Sequence, residues 1–406
     1  MGNIAITGNS GEGVRSDCKV TLEITTGGGI NINLKSKVEK LFGDDIKKQT
    51  KQIFNFFEIK NANILIEDAG ALPFVIAARI EAAIKKLINT DKSFLYNVIP
   101  ENKYSTEKDR FRFTRLYLPG NTPKLMLNAG IHKPDGIILD LEDAVAPDKK
   151  DEARFLVRNA LCQINFMGAE RMVRINQGER GLKDLEYVVP YYANMILIPK
   201  VEDPEQIHKI EEKINEIKET YHIDYPIWYM PILESALGIE NAYLIATASP
   251  NVVAMAIGLE DYTADIGVQR TKEGTESLYA RMRMVNTCKA AGIQPIDSVF
   301  SDISDMEGLL ENVLKSKALG FEGMGCIHPR QISVIKEGFK PEEKEVEKAK
   351  KIMIAFKQAK KEGKGVISLG TKMIDPPVVK RAERTIKLAI QFGLLNENWM
   401  ETIDNK

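Results

Sequence analysis

At 406 residues the chain exceeds one average soluble domain, about 100 to 200 residues, or about 250 for an α/β barrel, so two units are expected. Lys and Arg number 56 against 57 Asp and Glu, and this balance gives no basic footprint for nucleic acid or an anionic membrane as partner. Cys18, Cys162, Cys288 and Cys326 lie far apart without a C-x-x-C pair, Met1–Ala5 carries no leader pattern, and no apolar run approaches about 18 residues, which together exclude a disulfide framework, a zinc site and a membrane span and predict a soluble, cytoplasmic chain.

The first hundred residues have their own texture. Lys19–Ile24 and Ile30–Leu34 alternate polar and apolar residues on either side of Gly27-Gly28-Gly29, which predicts a hairpin. Ser36 is placed to cap a helix whose apolar positions Val38, Leu41, Phe42, Ile46, Ile53 and Phe57 recur at helical spacing; a strand at Ile64–Ile66 and a helix from Phe74 to Leu87 follow. Residues 1–96 therefore read as a small α+β domain. Neither Gly11-x-Gly13 nor the glycine triplet leads from a strand into a helix, so both are turn glycines and not nucleotide loops. Residues 97–112, NVIPENKYSTEKDRFR, are charged and lack apolar periodicity, as a solvated linker would.

From Phe113 short apolar runs alternate with longer amphipathic stretches, the pattern of a parallel sheet covered by helices. Eight strands are predicted: Thr114–Leu118, Gly136–Leu141, Arg171–Ile175, Met195–Pro199, Ile227–Leu233, Val253–Leu259, Gln294–Ser298 and Gly323–Ile327. Eight strand–helix units spell a TIM (β/α)8 barrel over residues 113–335, with a doubly wound open sheet as the rival fold. Residues 336–406 read as a C-terminal helical lid segment, in which Phe339–Lys351 is a mixed-charge, solvated face.

Chemistry in such a barrel sits at the C-terminal ends of the strands. Those ends are Asp140, Glu142 and Asp143; Arg174 and Asn176; Lys200 and Glu202; Glu234; Glu260 and Asp261; Asp297; and His328. Carboxylates without cysteine and with few histidines are oxygen-ligand chemistry, suited to Mg2+ or Mn2+. Magnesium usually takes one or two protein carboxylates, so Glu234 and one of Glu260 or Asp261 suffice; ordinary rim salt bridges are the competing reading. Arg174 either binds a substrate carboxylate bidentately or pairs with a rim acid. Asp140 and Asp143 have a structural alternative, with Lys149 and Lys150 as partners. His132, His208 and His222 lack ligand partners and read as surface or packing residues.

The segments Arg115–Asn121 (RLYLPGN), Ile138–Val145 (ILDLEDAV), Val173–Asn176, Ile198–Glu202 (IPKVE), Leu233–Gly238 (LESALG), Gly258–Tyr262 (GLEDY), Ile327–Gln331 (IHPRQ) and Lys372–Lys380 (KMIDPPVVK) resemble the citrate lyase beta subunit and its relatives, the malyl-, citramalyl- and beta-methylmalyl-CoA lyases. The resemblance spans most of residues 113–395 and implies a Mg2+-dependent lyase on a TIM barrel, typically a trimeric or hexameric homo-oligomer. It implies metal-binding roles for Glu234 and Asp261, with Glu234 also at the substrate, and implies that Arg174 holds the acyl oxygen and substrate carboxylate. It further implies that Arg115 looks toward the substrate or thioester, that Asp140, Glu142, Asp143 and Lys200 support the site, and that Asp375 lies on a segment closing over a neighbouring subunit's site, where it exchanges a proton with the acetyl carbon. Relatives often carry Lys where Met324 or Gly325 stands here.

The first domain in turn resembles the gamma subunit of citrate lyase, an acyl carrier, through Ser16–Cys18, Lys37–Gly43, Ile66–Leu72 and Ala77–Ala82. That family carries a phosphoribosyl-dephospho-CoA arm on a serine. Arg15 stands where the modified serine is expected, so the implied attachment either moves to Ser16 or is lost. The implied reaction is a retro-Claisen cleavage of a citryl- or citramalyl-type 3-hydroxyacyl thioester, on CoA or a carrier, to an acetyl thioester and a 2-oxo acid such as oxaloacetate or pyruvate. For Asp375 to act as its proton donor, burial under the lid has to raise its pKa. The alternatives are a malyl-CoA or methylmalyl-CoA lyase or thioesterase, a phosphoenolpyruvate-handling barrel, and a non-catalytic scaffold or carrier component of a lyase complex; a citrate lyase-type transferase subunit is an implied partner of the first reading.

Overall fold

The computed structural model describes residues 4–361, 367–369 and 372–400; Met1, Gly2 and Asn3, part of the N-terminal stretch considered above, lie outside them. Two compact units form, residues 1–335 and 336–406. The first begins with β1 (Ile4–Gly8), β2 (Cys18–Ile24), β3 (Ile30–Ser36), α1 (Glu39–Phe56), β4 (Ala62–Asp68) and α2 (Pro73–Leu87).

The predicted hairpin does not form. The sheet order is β1-β2-β4-β3: β4 enters between the two strands, antiparallel to β2 and parallel to β3. The reason is α1, which separates β3 from β4 in sequence and carries the chain back over the sheet as a crossover, the connection that parallel neighbours need. Ile64 and Ile66 of β4 are buried and take the central place, whereas β3 keeps most of its side chains at an open edge. Ser36 does not cap α1. Its Oγ accepts from Val38 N and donates to Asp68 Oδ2, and the helix starts three residues later with Leu41 and Phe42 exposed.

The barrel strands are β5 (Thr114–Pro119), β6 (Gly136–Asp140), β7 (Glu170–Arg174), β8 (Met195–Ile198), β9 (Trp228–Leu233), β10 (Ala254–Ile257), β11 (Gln294–Ile296) and β12 (Met324–Cys326), all eight where the apolar runs place them. They pair in parallel in sequence order, β12 returns to β5, and a bridge between Asp297 and Met324 closes the ring. Closure removes the open-sheet rival. Helices α3 (Pro123–Met126), α4 (Lys150–Gln163), α5 (Gly178–Val188), α6 (Pro204–Tyr221), α7 (Ala236–Glu240), α8 (Ala242–Ala246), α9 (Leu259–Asp265), α10 (Leu278–Ala291), α11 (Met306–Leu319) and α12 (Arg330–Phe339) follow the strands. Inside, Ile138, Met172, Leu197, Met230, Ile232, Ala254 and Ile296 interdigitate, so the barrel is a packed core.

Residues 97–112 are not a solvated linker. Asn102 and Arg112 are fully buried, and the segment straps the N-terminal end of the barrel. Arg112 grips Glu170 with Nε at 2.7 Å and Nη2 at 2.9 Å, Thr106 Oγ1 donates to the same carboxylate at 2.6 Å, and Asn102 Nδ2 donates to the carbonyls of Leu161 and Ile164. Among the segment's charges Arg112 is buried in a pair with Glu170, while Glu101, Lys103, Glu107, Lys108 and Asp109 stay exposed as read.

Helix α2 is buried on every side. Ile76, Ala77, Ile80, Ala83 and Ile84 pack on their own sheet, while Arg79 and Glu81 are fully buried against α4, where Arg158 holds Glu81 with both Nη atoms at 3.1 and 2.5 Å. The second unit comprises α13 (Glu343–Lys361), an antiparallel pair β13 (Ile367–Leu369) and β14 (Lys372–Ile374), and α14 (Pro376–Gln391), with Ala349, Ile352, Val379, Ala382, Ile386 and Trp399 at its core. Among the described residues no helix is long and apolar enough to cross a membrane.

Replacing Arg112 by Met strands Glu170 as a buried charge, so urea unfolding of the barrel is expected to lose about 3 to 5 kcal/mol. A change of about 0.5 kcal/mol or less, the usual cost at a surface position, would restore the solvated-linker reading.

Candidate functional site

A cavity of about 670 Å3 opens at the C-terminal ends of the strands, lined among others by Arg115, Tyr117, Asp140, Arg174, Glu234 and Asp261. Each side chain is there because a strand ends beneath it. Arg174, the last residue of β7, points its Nε and Nη2 at Asp140 at 2.8 and 2.6 Å, with Nη1 3.0 Å from Glu142 Oε2 and the guanidinium 5.4 Å above the Tyr117 ring. Both halves of the predicted alternative for Arg174 therefore meet: it pairs with rim acids and still faces the cavity. Burial works against its charge, but Asp140 and then Glu142 outweigh this and raise its pKa.

Lys200 follows β8 with a left-handed backbone, φ +49°. Its Nζ lies 3.5 Å from Asp261, 3.6 Å from Asp143 and 3.8 Å from Glu142, and its N–H donates to Glu234 Oε2 at 3.1 Å. Gln177 Nε2 also donates to Glu142. The cluster joins Glu234, Asp261, Asp140, Glu142, Asp143, Arg174 and Lys200: five carboxylates against two cations.

Glu234 bears the consequence. It is 6% exposed, and its pKa is pushed up to about 7 by burial first, then by Asp261 and Glu142, against the pull of Arg174. Burial likewise raises Glu142. Gly258 stands where no larger residue fits, since a Cβ there would meet Glu234 Oε1 at 2.5 Å. Among the described residues no group of three or more His, Cys, Asp or Glu is arranged to hold a metal ion. A hard divalent cation needs less: Glu234 and Asp261 supply two carboxylate oxygens, and the surplus of negative charge that disfavours ionised Glu234 is what such a cation relieves. The donor set fits magnesium or manganese.

Other predicted residues separate from this cluster. Glu260 pairs with Arg270 at 2.8 Å, and Asp297 is buried with Arg281 and Ser316, beside the closing bridge of the barrel. Glu202 accepts from Ser235 Oγ, and Asn176 donates to Asp184. Arg115 is fully buried in the floor below Tyr117, where its Nη1 donates to Met230 Sδ at 2.8 Å and its Nε has no partner; burial lowers its pKa. Ser16 is half-buried at φ +58°, with its N–H on the Ala69 carbonyl. Asp375 belongs to the second unit, exposed, where it caps α14 by accepting from Val378 N at 3.2 Å. Among the described residues of that unit nothing buries it as its proton-donor role calls for.

Tyr117 and His132 are among the lining residues that the sequence reading did not assign to the site. Tyr117 shares the inward face of β5 with Arg115, which strand alternation discloses. His132, read as a surface or packing residue, is exposed and also lines the cavity from a short turn after α3, of which local sequence holds no sign.

Residues 114–329 match the family described as HpcH/HpaI aldolase/citrate lyase, and residues 7–87 match the malonate decarboxylase delta subunit (MdcD). The citrate lyase subunit beta of Leuconostoc mesenteroides subsp. cremoris is 38% identical over 284 residues, 69% of this chain and 94% of that one. Mouse mitochondrial citramalyl-CoA lyase is 32% identical over 80% of this chain and 96% of its own length. Among solved structures, CitE from Mycobacterium tuberculosis in complex with magnesium, acetoacetate and coenzyme A superposes with a TM-score of 0.56 at 26% identity, covering 70% of this chain and 99% of that one.

Folded Glu234 holds its proton up to about 7, against about 4.3 when unfolded. Its contribution to the stability of the metal-free protein is thus full below the unfolded value and is lost as pH rises through 7. Thermal melts of Glu234→Gln are expected to lack this loss between pH 5 and 8; parallel profiles for the two proteins would refute the assignment.

Proposed function

The chain belongs to the HpcH/HpaI aldolase/citrate lyase family, and on that premise we propose that it is a Mg2+-dependent carbon–carbon lyase cleaving a citryl- or citramalyl-type thioester into an acetyl thioester and a 2-oxo acid. The observation that carries the reading is the surplus of carboxylate around the buried Glu234 and the half-exposed Asp261 in the cavity of a closed barrel. Support for magnesium and a CoA thioester comes from the tuberculosis relative, whose complex contains both magnesium and coenzyme A.

A divalent cation held by Glu234 and Asp261 supplies Lewis-acid polarisation of the substrate's hydroxyl and carboxylate oxygens. The chain's own residues do the rest. In the reaction the hydroxyl proton leaves, the bond between the hydroxyl-bearing carbon and the thioester's α-carbon breaks, the electron pair passes to the thioester carbonyl, and the α-carbon takes up a proton. Arg174, preset by Asp140 and Glu142, offers fixed positive charge where the enolate oxygen develops, with no reorganisation during the step. Arg115, a buried guanidinium with an unpartnered Nε in the cavity floor, is suited to a substrate oxygen or carboxylate. Lys200 keeps Asp143, Glu142 and Asp261 from repelling the incoming anion. Asp375 is the proposed proton donor to the α-carbon, brought to a neighbouring subunit's cavity in a homo-oligomer. An oligomer gains support from Leu237, Leu244, Tyr279 and Met282 on α7, α8 and α10, each more than half exposed. Four buried cysteines fit a reducing cytoplasm.

The thioester's carrier is free CoA or an arm on Ser16; intact-mass spectrometry of protein from a host with the prosthetic-group machinery separates them, because an unmodified Ser16 rejects attachment there. With citryl, citramalyl and malyl thioesters and Mg2+ as the panel, cleavage of at least one is expected, and none would sink the reading. Arg174→Met is expected to lower kcat by about 100- to 1,000-fold, as for a lost oxyanion partner. Asp375→Asn is expected to lower it by about 100- to 10,000-fold, as for a lost general acid. Near-normal turnover in either variant would remove that residue from the mechanism.

A further inference from the structure

The N-terminal domain meets the loop that leaves β5 through Arg79, beside further contacts with the start of α4. Arg79 of α2 is fully buried, and its Nε and Nη2 bind Asp17 at 3.0 and 2.9 Å. Nη2 also donates to the carbonyl of Asn121 at 3.0 Å, and Nη1 lies 3.4 Å from Glu152. Asn121 is in the loop that leaves β5, between Pro119 and the cavity-lining Lys124, Leu125, Asn128 and His132. Glu152 is in the first turn of α4 and accepts from Gly8 N at 2.9 Å, while Lys149 Nζ reaches the Gly8 carbonyl at 3.2 Å. Gly8 has φ +73°, and a Cβ there would lie 2.0 Å from the Cys18 carbonyl and 3.0 Å from the Arg79 side chain, so this position beside β2 and Arg79 takes only glycine.

The contacts have a direction. Asp17 fixes the guanidinium bidentately, a planar geometry lysine cannot reproduce. The fixed guanidinium then meets a backbone carbonyl of the barrel, whose position depends on the loop and not on a rotamer. Nothing in the Glu234, Asp261 and Arg174 cluster touches Arg79. The segment it holds instead lines the same cavity through the exposed Lys124, Leu125 and His132.

We infer that Arg79 is a positioning residue for substrate binding: through the Asn121 carbonyl, the N-terminal domain is a fixed brace for the cavity wall formed by residues 121–132. This rests on the proposed reading of the cavity as the thioester site. The domain so placed does not swing; it is clamped by Arg79 and by the Arg158–Glu81 pair on the same helix.

The test uses the full chain with Arg79→Lys, which keeps the charge and gives up the bidentate grip and the reach to Asn121. With a slack wall and an intact reaction centre, KM for the cleaved thioester is expected to rise about tenfold while kcat stays within about twofold, the signature of lost uniform binding. Amide hydrogen exchange is expected to quicken in residues 121–132 and stay unchanged in 228–233. A purely structural Arg79 would reduce the amount of active enzyme, and so apparent kcat, at constant KM; that result, or unchanged exchange in 121–132, overturns the inference. Asp17→Asn, which leaves the guanidinium in place but loosens its orientation, is expected to give the same pattern and decides the matter if Arg79→Lys does not fold. If the wild type cleaves no thioester, the functional reading fails and the exchange comparison alone judges the brace.

Discussion

Glu234 is an acid held in a place that is already negative. Burial removes the water that would stabilise its charge, Asp261 and Glu142 add repulsion, and Arg174 is spent mainly on Asp140. The surroundings keep it there nonetheless: the Lys200 N–H donates to it, and Gly258 opens the space for its carboxyl. A group placed at such cost on a catalytic rim is a functional candidate because the packing does not need it. In the proposed enzyme the same imbalance binds a divalent cation, and the adjacent guanidinium, held by Asp140 and Glu142, faces a developing anion.

The rest of the first unit serves to hold that rim. Eight short strands bring side chains distant in sequence to one end of a closed ring, and the strap at residues 97–112 ties the opposite end through Arg112 and Glu170. The N-terminal domain adds a third constraint from the side, where α2 is wedged between its own sheet and α4. Ion pairs, not apolar contacts alone, make that junction. Buried pairs add little net stability but penalise every arrangement that separates them, so they fix geometry where a greasy interface would slide.

The barrel was legible in the sequence because its strands, buried on both faces, read as apolar runs, and the fold rule then puts their polar successors on one rim. That logic brought Glu234, Asp261, Arg174 and Lys200 together without reference to distance. It also placed Asp297 and Glu260 at that rim, where they line the cavity and pair with Arg281 and Arg270, partners that leave no local mark in the sequence. Strand pairing in the small domain was misread because alternation says which face is buried and nothing about which strand lies next door. The strap was misread for a related reason: Arg112 and Glu170 are ordinary surface residues until they meet. Asp375 is visible in the sequence as an aspartate before two prolines, and the structure explains that pattern as a helix cap, so its chemical role rests on the reaction and not on the geometry of its own unit.

The proposed reaction depends on where a cation and a 2-oxo acid bind, and a crystal structure of the full chain grown with Mg2+ and pyruvate measures this directly. An ion is expected against the carboxylates of Glu234 and Asp261, with the pyruvate beside it, facing Arg174. An ordered ion and pyruvate at any other place, with the Glu234 and Asp261 carboxylates left to the protein, would contradict it.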